Sequence, residues 1–125
     1  MPDDMEVISA LRVMEKWCWD LGERNGWHEP REWPGEPWPR VANPVEQIAA
    51  IHGEVASMLE ALNASGGVTA VWTREGDGKP QGVVFECVDV LVRVFDFCAL
   101  HYLDLGLALP EKGRYTDLGA ESHGQ

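Results

Sequence analysis

The stretch VVFECVDVLVRVFDFCAL, residues 83 to 100, constrains this chain more than any other. Its many valines would suit a strand, but its length assigns it to a helix, expected from about Gln81 or Gly82 to His101 or Tyr102. Its charged residues are Glu86, Asp89, Arg93 and Asp96, spaced three, four and three apart. At about 100° per residue they share an arc of about 80°. The rest of the circumference is Val, Leu, Phe, Cys and Ala. An ordinary surface helix has the reverse proportions, so this one is expected to be buried on most sides. The stripe has two readings. It is either the narrow solvent-facing edge of a central helix, with an Asp89–Arg93 pair at i,i+4, or the wall of an internal polar cleft. In the second case Glu86 and Asp89 can share a hard cation, which takes oxygen ligands.

The neighbouring segments supply further helices. The first starts near Asp3 or Asp4, either of which can cap it. Val7, Ile8, Leu11, Met14, Cys18 and Leu21 recur along it at helical spacing, and Asn25-Gly26 stops it. Residues 27 to 42 hold Trp27, Trp33 and Trp38 among four prolines, which forbids a helix. Three tryptophans in a loop predict that it is ordered. Asn43, Pro44 and Glu46 form a capping-box start for the second helix. Its apolar face is Ile48, Ile51, Val55, Met58/Leu59 and Leu62, and residues 63 to 67 end it. Residues 68 to 81, where 68 to 72 suit a short strand or a helix continuation, are read as a connecting loop with turn chemistry at 76 to 80. Asp104 is placed to cap a short fourth helix through Leu109, ended by Pro110. The tail, 111–125, is polar and expected to fray.

The whole, 1–125, is expected to be a single helical domain. The fold class predicted is all-α, a four- or five-helix bundle completed by oligomerisation, because the third helix has more apolar surface than one chain of this size covers. A net charge of -11 excludes non-specific binding to nucleic acid. Such a chain still accepts a phosphorylated substrate if a divalent cation intervenes. The charges within 83–100 argue against a membrane span. The acidic first residues are unlike a signal peptide. Cys18, Cys87 and Cys98 lack CxxC spacing and read as reduced core thiols, which points to the cytoplasm.

One residue outside the stripe joins it. Glu54 lies about 80° from the centre of the second helix's apolar face, at its boundary, where it can look sideways into a cleft. Alone it would be a solvated charge.

IHGEVASMLEAL (51–62) followed by GVVFECVDVLVRVFDFCALHYLDLGLAL (82–109) resembles the MazG-like branch of the all-α nucleoside triphosphate pyrophosphohydrolases. Dimeric dUTPases and phosphoribosyl-ATP pyrophosphohydrolases are relatives within that superfamily. The resemblance spans about residues 43 to 112. The family pattern is ExxE on one helix and ExxD on a later one. ExxD is present as Glu86 and Asp89, and Arg93 and Asp96 follow in a family-like stretch. Of ExxE, Glu54 is present and Ser57 stands where a second Glu is expected.

The resemblance implies a Mg²⁺-dependent enzyme, with Mn²⁺ as the alternative ion, that splits a nucleoside triphosphate into monophosphate and pyrophosphate. Glu54, Glu86 and Asp89 would be the metal ligands and catalytic carboxylates. Lys112 and Tyr115 would touch substrate phosphates, and Arg93 and Asp96 would also bind substrate. His28, Trp33, Trp38 or Trp72 would contribute to a base pocket, since a flat ring stacks on a nucleobase. The family's assemblies imply a homodimer or homotetramer. Ser57 is neutral and offers one oxygen, and Glu60 lies about 120° around the helix from Glu54. The chain therefore works with fewer fixed ligands, recruits Asp96 or a partner's carboxylate, or is a non-catalytic relative that binds a nucleotide or a protein. A plain dimerisation domain is also consistent with so apolar a helix.

Overall fold

The computed structural model describes residues 1–64 and 66–117. Its elements are α1 (Asp4–Arg24), α2 (Pro44–Ala64), β1 (Val71–Thr73), β2 (Pro80–Gly82), α3 (Val83–Leu100) and α4 (Leu105–Asp117). The fold class is helical, as the periodicity predicts, with one small antiparallel ribbon added. No described helix is long and apolar enough to cross a membrane.

Helix starts follow the local chemistry. Asp3 caps α1, its Oδ1 accepting from Glu6 N–H at 2.9 Å. Asn43 and Glu46 exchange a reciprocal capping box at the start of α2, Glu46 N–H to Asn43 Oδ1 at 2.9 Å and Asn43 N–H to Glu46 Oε1 at 2.8 Å. Asp104 caps α4 through Leu107 N–H at 3.2 Å. Gly26, at φ 75°, ends α1 in the left-handed conformation.

The contacts gather into two compact units, one formed by Met1–Gly22 with the chain from Phe95 onward, the other by Glu23–Val94. In the first, Cys18 is fully enclosed and Phe95 and Cys98 are buried. Charged and polar contacts bind α4 to α1. Arg12 donates to Asp104 at 2.7 Å, Leu105 N–H donates to Glu15 Oε1 at 2.9 Å, and Arg114 donates to Asp4 at 2.9 Å.

One expectation is corrected at Pro110. The expected stop there does not occur, and α4 runs through to Asp117. Proline removes one backbone donor and crowds the preceding turn. The helix nevertheless continues, with its later part tied to the start of α1 by Arg114 and Asp4. The polar segment 111–117 is therefore helical, while the remainder of the expected tail, 118–125, lies outside the described residues.

In the second unit, the segment read as a connecting loop is a hairpin, in which Val71 pairs with Gly82, Trp72 with Gln81 and Thr73 with Pro80. Gly76 and Gly78, both at positive φ, turn the chain, and Asp77 holds the turn by accepting from Arg74 and from Lys79 N–H. Pro80 is tolerated because a two-stranded ribbon has free edges. Strand β2 packs against α2 and runs straight into α3. Gly82 makes that junction, at φ 139°, where a Cβ would stand 2.5 Å from the carbonyl oxygen of Ala70.

The Trp/Pro-rich segment is a loop whose contacts centre on one of its tryptophans. Trp33 lies between Arg31 and Arg40, whose guanidinium carbons are 3.9 and 4.5 Å from its ring centre, and it donates Nε1–H to Arg40 O at 2.9 Å. Arg31 and Arg40 also form an isolated bridge. Trp38 is exposed.

The expectation that the third helix is buried on most sides does not hold within the single chain. Val84, Val88 and Leu91 of α3 are about half exposed, and so are Ile48, Val55, Leu59 and Leu62 of α2. On each helix these residues form one stripe within about 60°. Apolar stripes of this kind are ordinarily covered.

Candidate metal centre

Two helices of the second unit bring three carboxylates together. Glu54 projects from α2, and Glu86 and Asp89 from the first half of α3. One oxygen from each lies within 4.8 Å of the others, and all three residues are half-buried. Glu86 falls in the first turn of α3, where the helix dipole favours a negative charge. The hairpin and Gly82 fix where that turn begins.

The electrostatics of the group are unbalanced. Desolvation pushes the Glu86 carboxyl above its ordinary range, and the charges of Asp89 and Glu54 push it further, with Lys79 opposing them. Hard divalent cations take oxygen ligands of this type, and Mg²⁺ binds through one or two carboxylates while keeping several waters. The donor set therefore fits such an ion.

Arg93 is the guanidinium at this centre. Its Nε lies 4.0 Å from Glu54 Oε1, so the expected Asp89–Arg93 pair is replaced by one between helices. Helix geometry permits both, and the placement of Glu54 on α2 selects the second. The guanidinium of Arg93 also stacks on Trp27, 3.9 Å from the ring centre. Periodicity could not find that contact, because Trp27 lies in the loop beyond the α1 stop.

The other expected site residues are distributed differently. Asp96 belongs to the first unit and is buried, so it is not one of the clustered carboxylates. Burial raises the Cys18 thiol, and the charge of Asp96 adds to that shift. Lys112 and Tyr115 lie in the first unit on α4, with the ammonium 5.8 Å from the ring centre. His28 Nδ1 is 2.6 Å from Glu23 Oε2, which engages its ring with the last turn of α1. Trp38 is 78% exposed, and Trp72 lies on β1. Ser57 donates its hydroxyl to Gly53 O at 3.2 Å, one turn back on its own helix, and is not among the clustered groups.

An open cleft of about 620 Å³ lies within the first unit, lined in part by Arg12, Lys16, Trp19, Tyr102 and Leu103. None of the three clustered carboxylates lines it.

No protein-family model, curated protein or solved structure matches this chain.

Proposed function

We propose that this chain is a Mg²⁺-dependent nucleoside triphosphate pyrophosphohydrolase of the MazG-like kind. The observation that carries the reading is the convergence of Glu54, Glu86 and Asp89, from two helices, to within 4.8 Å. These are the carboxylates that the family resemblance marks in the sequence. Glu54, Glu86 and Asp89 hold the ion. Mg²⁺ bound there supplies charge neutralisation for a triphosphate and activation of a water for attack at phosphorus. Arg93 adds a protein cation beside the same carboxylates. Lys112 and Tyr115 are proposed as phosphate contacts on the resemblance alone. The three free thiols agree with a cytoplasmic location.

A homodimer or homotetramer belongs to this reading. The exposed stripes of Val84, Val88 and Leu91 and of Val55, Leu59 and Leu62 support it, because a second copy of the chain would cover them.

The test is pyrophosphate release with Mg²⁺ across a panel of canonical and modified nucleoside triphosphates. Release that is lost in Glu86→Ala is the expected result. A second reading, a non-catalytic helical module that binds a nucleotide or a protein partner, is favoured by one observation. Ser57 spends its hydroxyl on Gly53 and adds no fourth carboxylate. Nucleotide binding by calorimetry without release from any member of the panel would select it. Activity gained in Ser57→Glu would identify the missing carboxylate as the cause.

A further inference from the structure

We propose that Arg93 is the anion-recognition residue of the carboxylate centre, and that Trp27 positions it to present its guanidinium edge to a phosphate-bearing ligand. The inference rests on the metal-centre reading and adds to it a residue for the ligand's anionic oxygens.

The geometry of the stack carries the argument. The guanidinium carbon of Arg93 is 3.9 Å from the Trp27 ring centre. In the proposed arrangement the planar guanidinium lies face-on to the ring, as arginine stacks on aromatic side chains. The N–H donors of a guanidinium lie in its plane, so stacking leaves them available. Glu54 does not consume them, because at 4.0 Å it is beyond hydrogen-bond reach. The side chain of Arg93 is 35% exposed.

Arg40 shows the alternative use of the same stack. Its guanidinium also lies over a tryptophan, Trp33, but it donates to Glu46 at 2.7 and 3.1 Å, to Glu36 at 3.3 Å and to Val41 O at 3.1 Å. Its donors serve the loop and the start of α2. Among the described residues, Arg93 contacts a ring and a more distant charge, and forms no such set.

The backbone on either side of Trp27 is tied down. It follows Gly26, whose positive φ turns the chain out of α1, and Glu29 N–H closes the turn on Gly26 O at 3.2 Å. His28, its neighbour, is engaged with Glu23 at 2.6 Å. A planar fork held in this way matches two phosphate oxygens, as a lysine ammonium would not.

Two calorimetric titrations test the proposal, Mn²⁺ into the protein and then manganese pyrophosphate into the Mn²⁺-saturated protein. The variants are Arg93→Met, Arg93→Lys, Trp27→Leu and Trp27→Phe, each checked for folding by a thermal melt. All are expected to bind Mn²⁺, with Arg93→Met binding at least as tightly as wild type because a nearby positive charge is gone. The pyrophosphate Kd is expected to rise about tenfold in Arg93→Met, the size of one charge-assisted hydrogen bond, and to stay raised in Arg93→Lys. It should rise about threefold in Trp27→Leu, the size of an exposed cation–π contact, and stay near wild type in Trp27→Phe, which keeps a ring face. Unchanged pyrophosphate affinity in Arg93→Met overturns the role of Arg93, and unchanged affinity in Trp27→Leu overturns the role of Trp27. Wild type that binds Mn²⁺ but no pyrophosphate overturns the proposal and leaves the metal centre standing. Wild type that binds no Mn²⁺ overturns both.

Discussion

Arg93 on α3 pairs with Glu54 on α2, Nε to Oε1 at 4.0 Å, and passes over Asp89 four residues before it on its own helix. Glu54 is one of three clustered carboxylates, and Lys79 acts on another, Glu86. Burial and two neighbouring carboxylates raise Glu86, and each of the first two predictions draws on this group.

Divalent cations are expected to stabilise the protein through this group. A ligand that binds only the folded state adds about 2.7 kcal/mol at one hundred times its Kd. For a domain of this size that is a rise in Tm of about 10 °C. Differential scanning fluorimetry with Mg²⁺ or Mn²⁺ should show the rise in wild type and lose it in Glu86→Ala and Asp89→Asn. A shift of equal size in both variants would place the ion elsewhere.

The raised Glu86 carboxyl sets a pH dependence in metal-free protein. The folded state binds the Glu86 proton more tightly than the unfolded chain does. Its contribution to stability is therefore full below the unfolded pKa and is lost as pH rises through the folded one. Glu46, Asp77 and Asp104 are shifted the other way, their contributions being present above the unfolded pKa and lost as pH falls. The difference between wild type and Glu86→Gln isolates the first effect. With EDTA present, the urea midpoint of Glu86→Gln should exceed that of wild type at pH 7, and the gap should narrow at pH 4. A gap independent of pH would count against the raised pKa.

Gly82 is expected to resist substitution. Alanine there meets the Ala70 carbonyl oxygen at 2.5 Å and must adopt φ near 139°. Backbone strain of this kind costs about 1–3 kcal/mol, and the clash adds to it. Urea denaturation of Gly82→Ala should show at least that loss, together with weaker Mn²⁺ binding, because Gly82 sets where α3 begins. A fully stable Gly82→Ala would mean the hairpin joins α3 differently.

The exposed apolar stripes lead to the last prediction. Multi-angle light scattering at micromolar concentration should report a dimer or larger, and Val88→Asp with Leu91→Asp should shift it toward the monomer. Val88 is 47% and Leu91 52% exposed in the single chain, so charges there leave the fold of one chain intact. A monomeric wild type would show that solvent alone covers the stripes.

Local sequence signals suffice for the starts of α1, α2 and α4. Asp3, Asn43 with Glu46, and Asp104 act on backbone groups three residues away, and Gly26 acts on its own backbone, so each signal and its effect lie within one turn. The sequence by itself also marked Glu54, Glu86 and Asp89 as candidates, since helical spacing fixes which face a residue takes. Tertiary structure decided the rest. The hairpin at 71–82 depends on pairing across a turn, and its residues individually favour no single state. The passage of α4 through Pro110 accompanies an ion pair between residues 110 positions apart, Arg114 and Asp4. Asp96 shares a stripe with Glu86 and Asp89 on the helical wheel but belongs to the other unit, because a wheel records angle and omits position along the axis. The stacking of Arg93 on Trp27 and its pairing with Glu54 depend on where a loop and a second helix come to lie. Local spacing offered Asp89 equally well, and only the packing of distant segments selects between such partners.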